Sequence, residues 1–181
     1  MGAGALSKLY LTRRQRLNLL RWLLYGAVIL LLSLVQDVIL CRVRVFGVTT
    51  NLVAAGILLL SMMLQPDSSA VFALISSVLY YFSGAAPGPY AIVFLTGLGV
   101  LLNIFRYSYL RKGFGSAMLC AGAAIMFYEV LTFGVGLFLG HTTVARFAGF
   151  CITGGLSVAV MPLLYPLFVF IGKIGGESWR E

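Results

Sequence analysis

Charge is scarce in this sequence: 13 Lys or Arg and 5 Asp or Glu among 181 residues, set against 61% hydrophobic positions and a mean hydropathy of +1.02. That shortage excludes an ordinary water-soluble domain and points to an all-α integral membrane protein. Histidine occurs once, at His141, and the three cysteines, Cys41, Cys120 and Cys151, lie far apart, so neither a disulfide framework nor a metal site is expected. Catalytic patterns are missing as well. There is no Ser/His/Asp set, no HExxH and no pair of carboxylates at catalytic spacing, so the chain reads as non-enzymatic, with no cofactor. Gly97-Leu-Gly99 lacks the strand and helix around it that a dinucleotide site needs, and reads as helix packing.

What is present is long apolar runs. A bilayer core of roughly 30 Å asks for about 20 apolar residues per helix, and lipid offers no partner to an unpaired backbone group. The runs and their breaks predict a six-transmembrane-helix bundle with spans at 22–40, 45–64, 69–84, 89–105, 115–139 and 144–172. The second and third are the weakest, and the third, near 24 Å at 1.5 Å per residue, is short for a full crossing. Gln65-Pro-Asp-Ser-Ser69 is a turn in which Asp67 or Ser68 is placed to cap the next helix, and Gly84-Ala-Ala-Pro-Gly-Pro89 breaks the third span from the fourth. Pro162 and Pro166 predict a kink in the sixth. Ahead of the first span, residues 12–21 carry a capping-box spacing at Thr12-Arg-Arg-Gln15, and read equally as a short surface helix or a solvated basic tail; with no small-residue cleavage site following, the first span is expected to be a retained anchor.

Charge sets the orientation. With the N-terminus inside, the inner face collects Lys8, Arg13, Arg14, Arg16, Arg21, Arg106, Arg111, Lys112, Lys173 and Arg180, and the outer face only Arg42, Arg44 and Arg146. Both basic termini then share the cytoplasmic side of a bacterial inner membrane. The net charge of +8 reflects this topology and contact with anionic lipid, with no nucleic acid implied. The longest loop, residues 106–114, leaves no room for a soluble domain.

Four polar residues inside the apolar runs are candidates for function. Glu129, in "IMFYEVLTFGVG", falls near the bilayer midplane, where an ionised carboxylate facing lipid costs at least ~2.5 kcal/mol, so it must face protein or water, or be protonated. Gly115, Gly122, Glu129 and Gly136 recur every seven residues, with Ile125 and Thr132 on the same stripe and Gly140 beyond, a small-residue face that admits a neighbouring helix. Glu129 thus reads either as a packing residue bonded to that neighbour or as a ligand or proton site. Gln36 and Asp37, near the outer end of the first span, read as an acid neutralised by Arg42 or Arg44, or as a docking point for an external partner. Asn103 reads as an interhelical hydrogen-bonding residue or part of a polar cavity. Tyr80, Tyr81, Tyr90, Tyr107 and Tyr109 fall at predicted interfaces, where amphipathic aromatics collect.

Four stretches together resemble a known family, the bacterial rod shape-determining membrane protein MreD. They are "VQDVIL" closing the first span, "TTNLVAAGILLL" opening the second, "SSVLYYFSGAAPG" closing the third and "YEVLTFGVGLF" in the fifth. The likeness covers nearly the whole length, including the basic termini. Two positions depart from the family pattern: Thr50 stands where a proline is usual, and Tyr81 where an acid is expected. The resemblance implies a scaffold subunit of the cell-elongation machinery. Such a subunit binds MreC and couples MreB filaments to peptidoglycan synthases, a RodA-type glycosyltransferase and a class B penicillin-binding transpeptidase. It also implies a fold similar to the S-component of energy-coupling-factor transporters. On that reading Asp37, Arg42 and Arg44 form an outer docking rim, and Arg106, Arg111 and Lys112 meet cytosolic partners or membrane lipids. The alternative is a vitamin-binding S-component itself, with Glu129 and Asn103 lining a small-molecule cavity. Against it, the Ala-x-x-x-Ala docking motif of such subunits belongs in the first helix, whereas the match here, Ala117-Met-Leu-Cys-Ala121, lies in the fifth.

Overall fold

The computed structural model describes residues 13–43, 45–110 and 113–174. Arg44, Arg111 and Lys112, and the Lys8, Thr12 and Arg180 positions used above, lie outside the described residues. Six α-helices follow in order: α1 (Arg13–Val35), α2 (Leu52–Met63), α3 (Pro66–Phe82), α4 (Tyr90–Tyr109), α5 (Phe114–Phe138) and α6 (Phe147–Lys173). A π-helical turn at Gln36–Leu40 extends α1, and a 3-10 turn at Val144–Arg146 leads into α6. Short connections make successive helices antiparallel, so the loops after α1, α3 and α5 share one end of the bundle, here called distal. The described chain termini share the other.

Among the described residues four stretches are long and apolar enough to cross a membrane: Gln15–Leu40, Tyr90–Tyr109, Phe114–Phe138 and Val144–Lys173. Each hides one stripe and shows the rest. α1 buries Tyr25, Ile29, Leu32 and Gln36 at helical spacing while exposing Leu23, Leu30, Leu31 and Leu34; α4 buries Ala91, Leu95, Gly99, Asn103 and Arg106 and exposes Val93, Leu101 and Ile104. Large apolar faces of this kind suit lipid contact and are foreign to a protein surrounded by water. Residues 13–21 continue directly into α1, in place of a separate surface helix or a tail.

The second span departs most from expectation. Residues 45–51 are not helical: Val45 and Val48 bridge across a tight turn with Phe46 and Gly47 both at positive φ, and the chain then runs down to Asn51. The helix that follows has 12 residues, about 18 Å at 1.5 Å rise, too short to span. It is instead the centre of the bundle. Every residue of α2 but Met63 is buried, and the other five helices surround it. Its small residues permit this: a Cβ built on Gly56 would sit 2.9 Å from Leu32 Cδ1 of α1. α3, with 17 residues, is also shorter than the crossing helices. Its N-cap is Gln65 with Pro66 at the first helical position, and neither Asp67 nor Ser68 caps it. α6 continues through Pro162 and Pro166 as one helix.

The glycine stripe of α5 is only partly a packing face. Gly122 is close to Val158 of α6, with a built Cβ 3.5 Å away, whereas Gly115 has open space and Gly136 meets Thr142 of the following loop. Gly140 ends the helix: its φ of +74° is the left-handed C-cap conformation that glycine adopts without strain. The tightest approach lies opposite, at Gly154 of α6, where a Cβ would fall 2.6 Å from Met126 Sδ and 3.5 Å from Glu129 Cγ. Gly99 similarly faces Ser61 and Ala73, while Gly97 faces nothing.

Candidate functional site

Burying a short helix end to end creates a chemical demand. The first four N–H groups and last four C=O groups of α2 have no partner within the helix, and neither lipid nor an apolar core provides one. Side chains satisfy several of them at both ends.

At the N-terminal end, Asn51 is the N-cap, its Oδ1 accepting from Ala54 N–H at 3.4 Å. Gln36 Oε1 accepts from Val53 N–H at 2.9 Å. The π turn, closed by Cys41 N–H on the Gln36 carbonyl at 2.9 Å, sits where that side chain enters the bundle, and such turns are frequent at functional sites. Asn51 is the hub of what remains. Its Nδ2 donates to Glu129 Oε1 at 3.0 Å, its Oδ1 lies 3.0 Å from the Tyr80 hydroxyl, and its own N–H donates to Ser157 Oγ at 2.9 Å. The Tyr80 hydroxyl also lies 3.2 Å from the Ala85 carbonyl, and Ser157 donates onward to the Thr153 carbonyl at 2.7 Å. Glu129 therefore attaches, through Asn51, to the end of α2 where the peptide dipoles place partial positive charge.

At the C-terminal end, Asn103 Nδ2 donates to the carbonyls of Ser61 and Leu64, both at 2.7 Å. Ser69 Oγ donates to the same Ser61 carbonyl at 2.7 Å, and the Arg106 guanidinium to Leu64 at 3.2 Å. A cation at a helix C-terminus complements the dipole. Arg106 is 6% exposed, so it is a buried cap and not the inner-face contact that its charge suggested.

Above the N-terminal cluster the bundle opens. A cavity of about 710 Å³ reaches the distal end between the 45–51 descent, the α3–α4 loop, α5 and the start of α6. Gln36, Asn51, Tyr80 and Glu129 form its floor, with Thr49, Thr50, Thr132 and Thr153 on its walls and the exposed Arg146 at its mouth. Glu129 lies nine residues before the end of α5, about 14 Å along the helix, so the floor is deep in the bundle. The hydroxyls of Thr132 and Tyr128 are buried and close enough to influence each other, yet fall short of a hydrogen bond.

The structure brings Gln36 and Glu129 together and leaves the other sequence candidates elsewhere. Asp37 is half-exposed on the far side of the π turn, and among the described residues it makes no ion pair with the exposed Arg42; its carbonyl accepts from Cys41 Sγ at 2.6 Å. Asn103 belongs to the opposite end of α2 and does not share the cavity with Glu129. Tyr80, assigned by sequence to an interface, is 1% exposed and part of the cluster. Asn51 was missed, although asparagine directly before an apolar run is an N-cap signal; placing the span's start at 45 concealed it. No family model, no curated protein and no solved structure matches this chain.

Proposed function

We propose that this chain is an MreD-like scaffold subunit of the bacterial cell-elongation complex, a six-helix inner-membrane bundle with both termini in the cytoplasm. It binds MreC and links MreB filaments to a RodA-type glycosyltransferase and a class B penicillin-binding transpeptidase. One observation supports the reading above others: each of the four stretches that carry the resemblance contributes one side chain to the same buried cluster. "VQDVIL" contributes Gln36, "TTNLVAAGILLL" Asn51, "SSVLYYFSGAAPG" Tyr80 and "YEVLTFGVGLF" Glu129. Stretches this far apart in sequence have no local reason to converge. Their meeting around the cap of α2 gives the resemblance a physical content that short apolar motifs lack on their own.

On this reading the distal end faces outward and the cluster braces the surface offered to MreC. Its test is mass spectrometry of the proteins retained by the tagged chain after gentle detergent extraction from its own cells. MreC and a penicillin-binding transpeptidase are expected. A second reading, the S-component of a vitamin transporter, draws on the cavity itself, whose volume suits a small molecule. Against it, Ala117 and Ala121 are fully buried in α5 and closed to a docking partner. Retention of an ATPase and a transmembrane coupling subunit, without MreC, would replace the first reading with the second.

A further inference from the structure

We propose that the distal cavity is a binding site for a small zwitterion, with the ammonium group seated at Glu129 on the floor and the acidic group held by Arg146 at the mouth. Among the described lining residues Glu129 is the one carboxyl group and Arg146 the one guanidinium, at the floor and the mouth of a space of about 710 Å³. Volumes of roughly 300–1,000 Å³ are those of small-molecule sites. The asymmetry selects the ligand class. An anion that reaches the floor meets the Glu129 carboxyl group, and a plain cation must pass Arg146 and leaves that guanidinium unused.

The floor is a built site. Glu129 is 4% exposed, with its orientation fixed by Asn51, itself fixed by Ser157 and the α2 backbone. That bond occupies Oε1 alone and leaves the second carboxylate oxygen to a ligand donor. The Thr132 hydroxyl, 3% exposed and without a completed hydrogen bond, lies one turn further along α5 on the same wall. A buried polar atom left so has a reason to accept or donate to an occupant. The two charges stand apart along the bundle. Arg146 precedes Gly154, whose built Cβ falls 3.5 Å from Glu129 Cγ, by eight residues, about 12 Å of helix, so an occupant that meets both is extended along the bundle. The expected occupant carries its amine and its acid at the two ends of a chain.

The site is independent of the scaffold reading, because its assay uses no partner. The full chain in lipid nanodiscs is titrated with the ω-amino acids from glycine to 8-aminooctanoate, with hexylammonium and hexanoate as single-charge probes, and thermal stability is followed. A medium-length ω-amino acid should raise Tm most, and more than either single-charge probe. Glu129→Gln keeps an acceptor for Asn51 and removes the charge, and should weaken apparent affinity by at least about tenfold. Arg146→Gln, on an exposed turn where folding is not at risk, should do the same for the zwitterions and leave hexylammonium unaffected. A response indifferent to chain length, one equalled by hexylammonium, one that survives both substitutions, or none from the folded wild type would each overturn the proposal.

Discussion

Replacing Asn51 by alanine should be among the most damaging single changes in the protein, and its size follows from the bonds lost. The N-cap acceptor for Ala54 disappears, a loss worth about 0.5–2 kcal/mol at helix N-termini. Glu129 loses its Nδ2 donor, and a buried polar group deprived of its partner adds about 1–3 kcal/mol. Tyr80 is less affected, since the Ala85 carbonyl remains at 3.2 Å. The backbone bond from residue 51 to Ser157 also survives. Destabilisation of about 2–4 kcal/mol is therefore expected, read as unfolding in mixed micelles or as loss of Tm in nanodiscs. Asn51→Ser retains the cap and loses the reach to Glu129 and Tyr80, and should fall in between. The double variant Asn51→Ala with Glu129→Ala supplies the decisive comparison. If the two side chains act through their mutual bond, the combined loss departs from the sum of the single losses by about 0.5–3 kcal/mol. Strict additivity would remove the coupling between the two side chains, and an Asn51→Ala protein within about 0.5 kcal/mol of wild type would refute the view that α2 depends on this cap.

Asn103→Leu should cost about 1–3 kcal/mol, because the Leu64 carbonyl keeps only the longer Arg106 bond; a neutral result in the same unfolding assay would remove the cap role at that end. Gly154→Ala should cost about 1–3 kcal/mol by forcing Met126 aside at the contact with Glu129, whereas Gly115→Ala, facing open space, should be neutral or slightly stabilising. Equal effects at the two positions would contradict the helix contacts described. Phe46 holds a φ of +54° with 85% of its surface exposed, so Phe46→Asn should raise stability by up to about 1 kcal/mol, and a clear loss would show that the aromatic ring is anchored. On the proposed scaffold reading, expression in the native host with Glu129→Ala should leave the chain inserted but reduce co-purified MreC, and undiminished MreC would separate the cluster from partner binding.

Much of the architecture was legible because lipid makes helix length and apolar content informative. The first, fourth, fifth and sixth runs became helices long and apolar enough to cross a membrane, with ends displaced by a few residues, except that α1 begins near residue 13, where arginines interrupt the hydropathy without breaking the helix. The second run was misread for a physical reason. Hydropathy cannot distinguish a helix facing lipid from one enclosed by other helices, and "VTTNLVAAGILLL" satisfies both. The distinguishing signs were the polar Thr49-Thr50-Asn51 and the small residues after it, which favour a capped start and close neighbours over a lipid-facing wall. Glu129 was expected to face protein or water, or to be protonated; it is buried against protein, yet its partner lies 78 positions away in sequence, and spacing along α5 pointed to glycines of which only Gly122 meets another helix closely. Arg106 misled through its charge. A cation near a span's inner end satisfies the positive-inside pattern equally well whether it meets the cytosol or a buried helix terminus.

Thiol accessibility on intact cells tests most directly the proposed arrangement, a buried half-helix beneath a polar cavity that opens to the outside. In a background with Cys41, Cys120 and Cys151 replaced by alanine, single cysteines are placed at Thr49 on the cavity wall and at Ile57 in the middle of α2, and a membrane-impermeant maleimide is applied. Thr49→Cys should react from outside and Ile57→Cys should stay unlabelled until the protein is unfolded. Labelling of Ile57→Cys in the folded protein, or protection of Thr49→Cys on intact cells with reaction only after lysis, would contradict it.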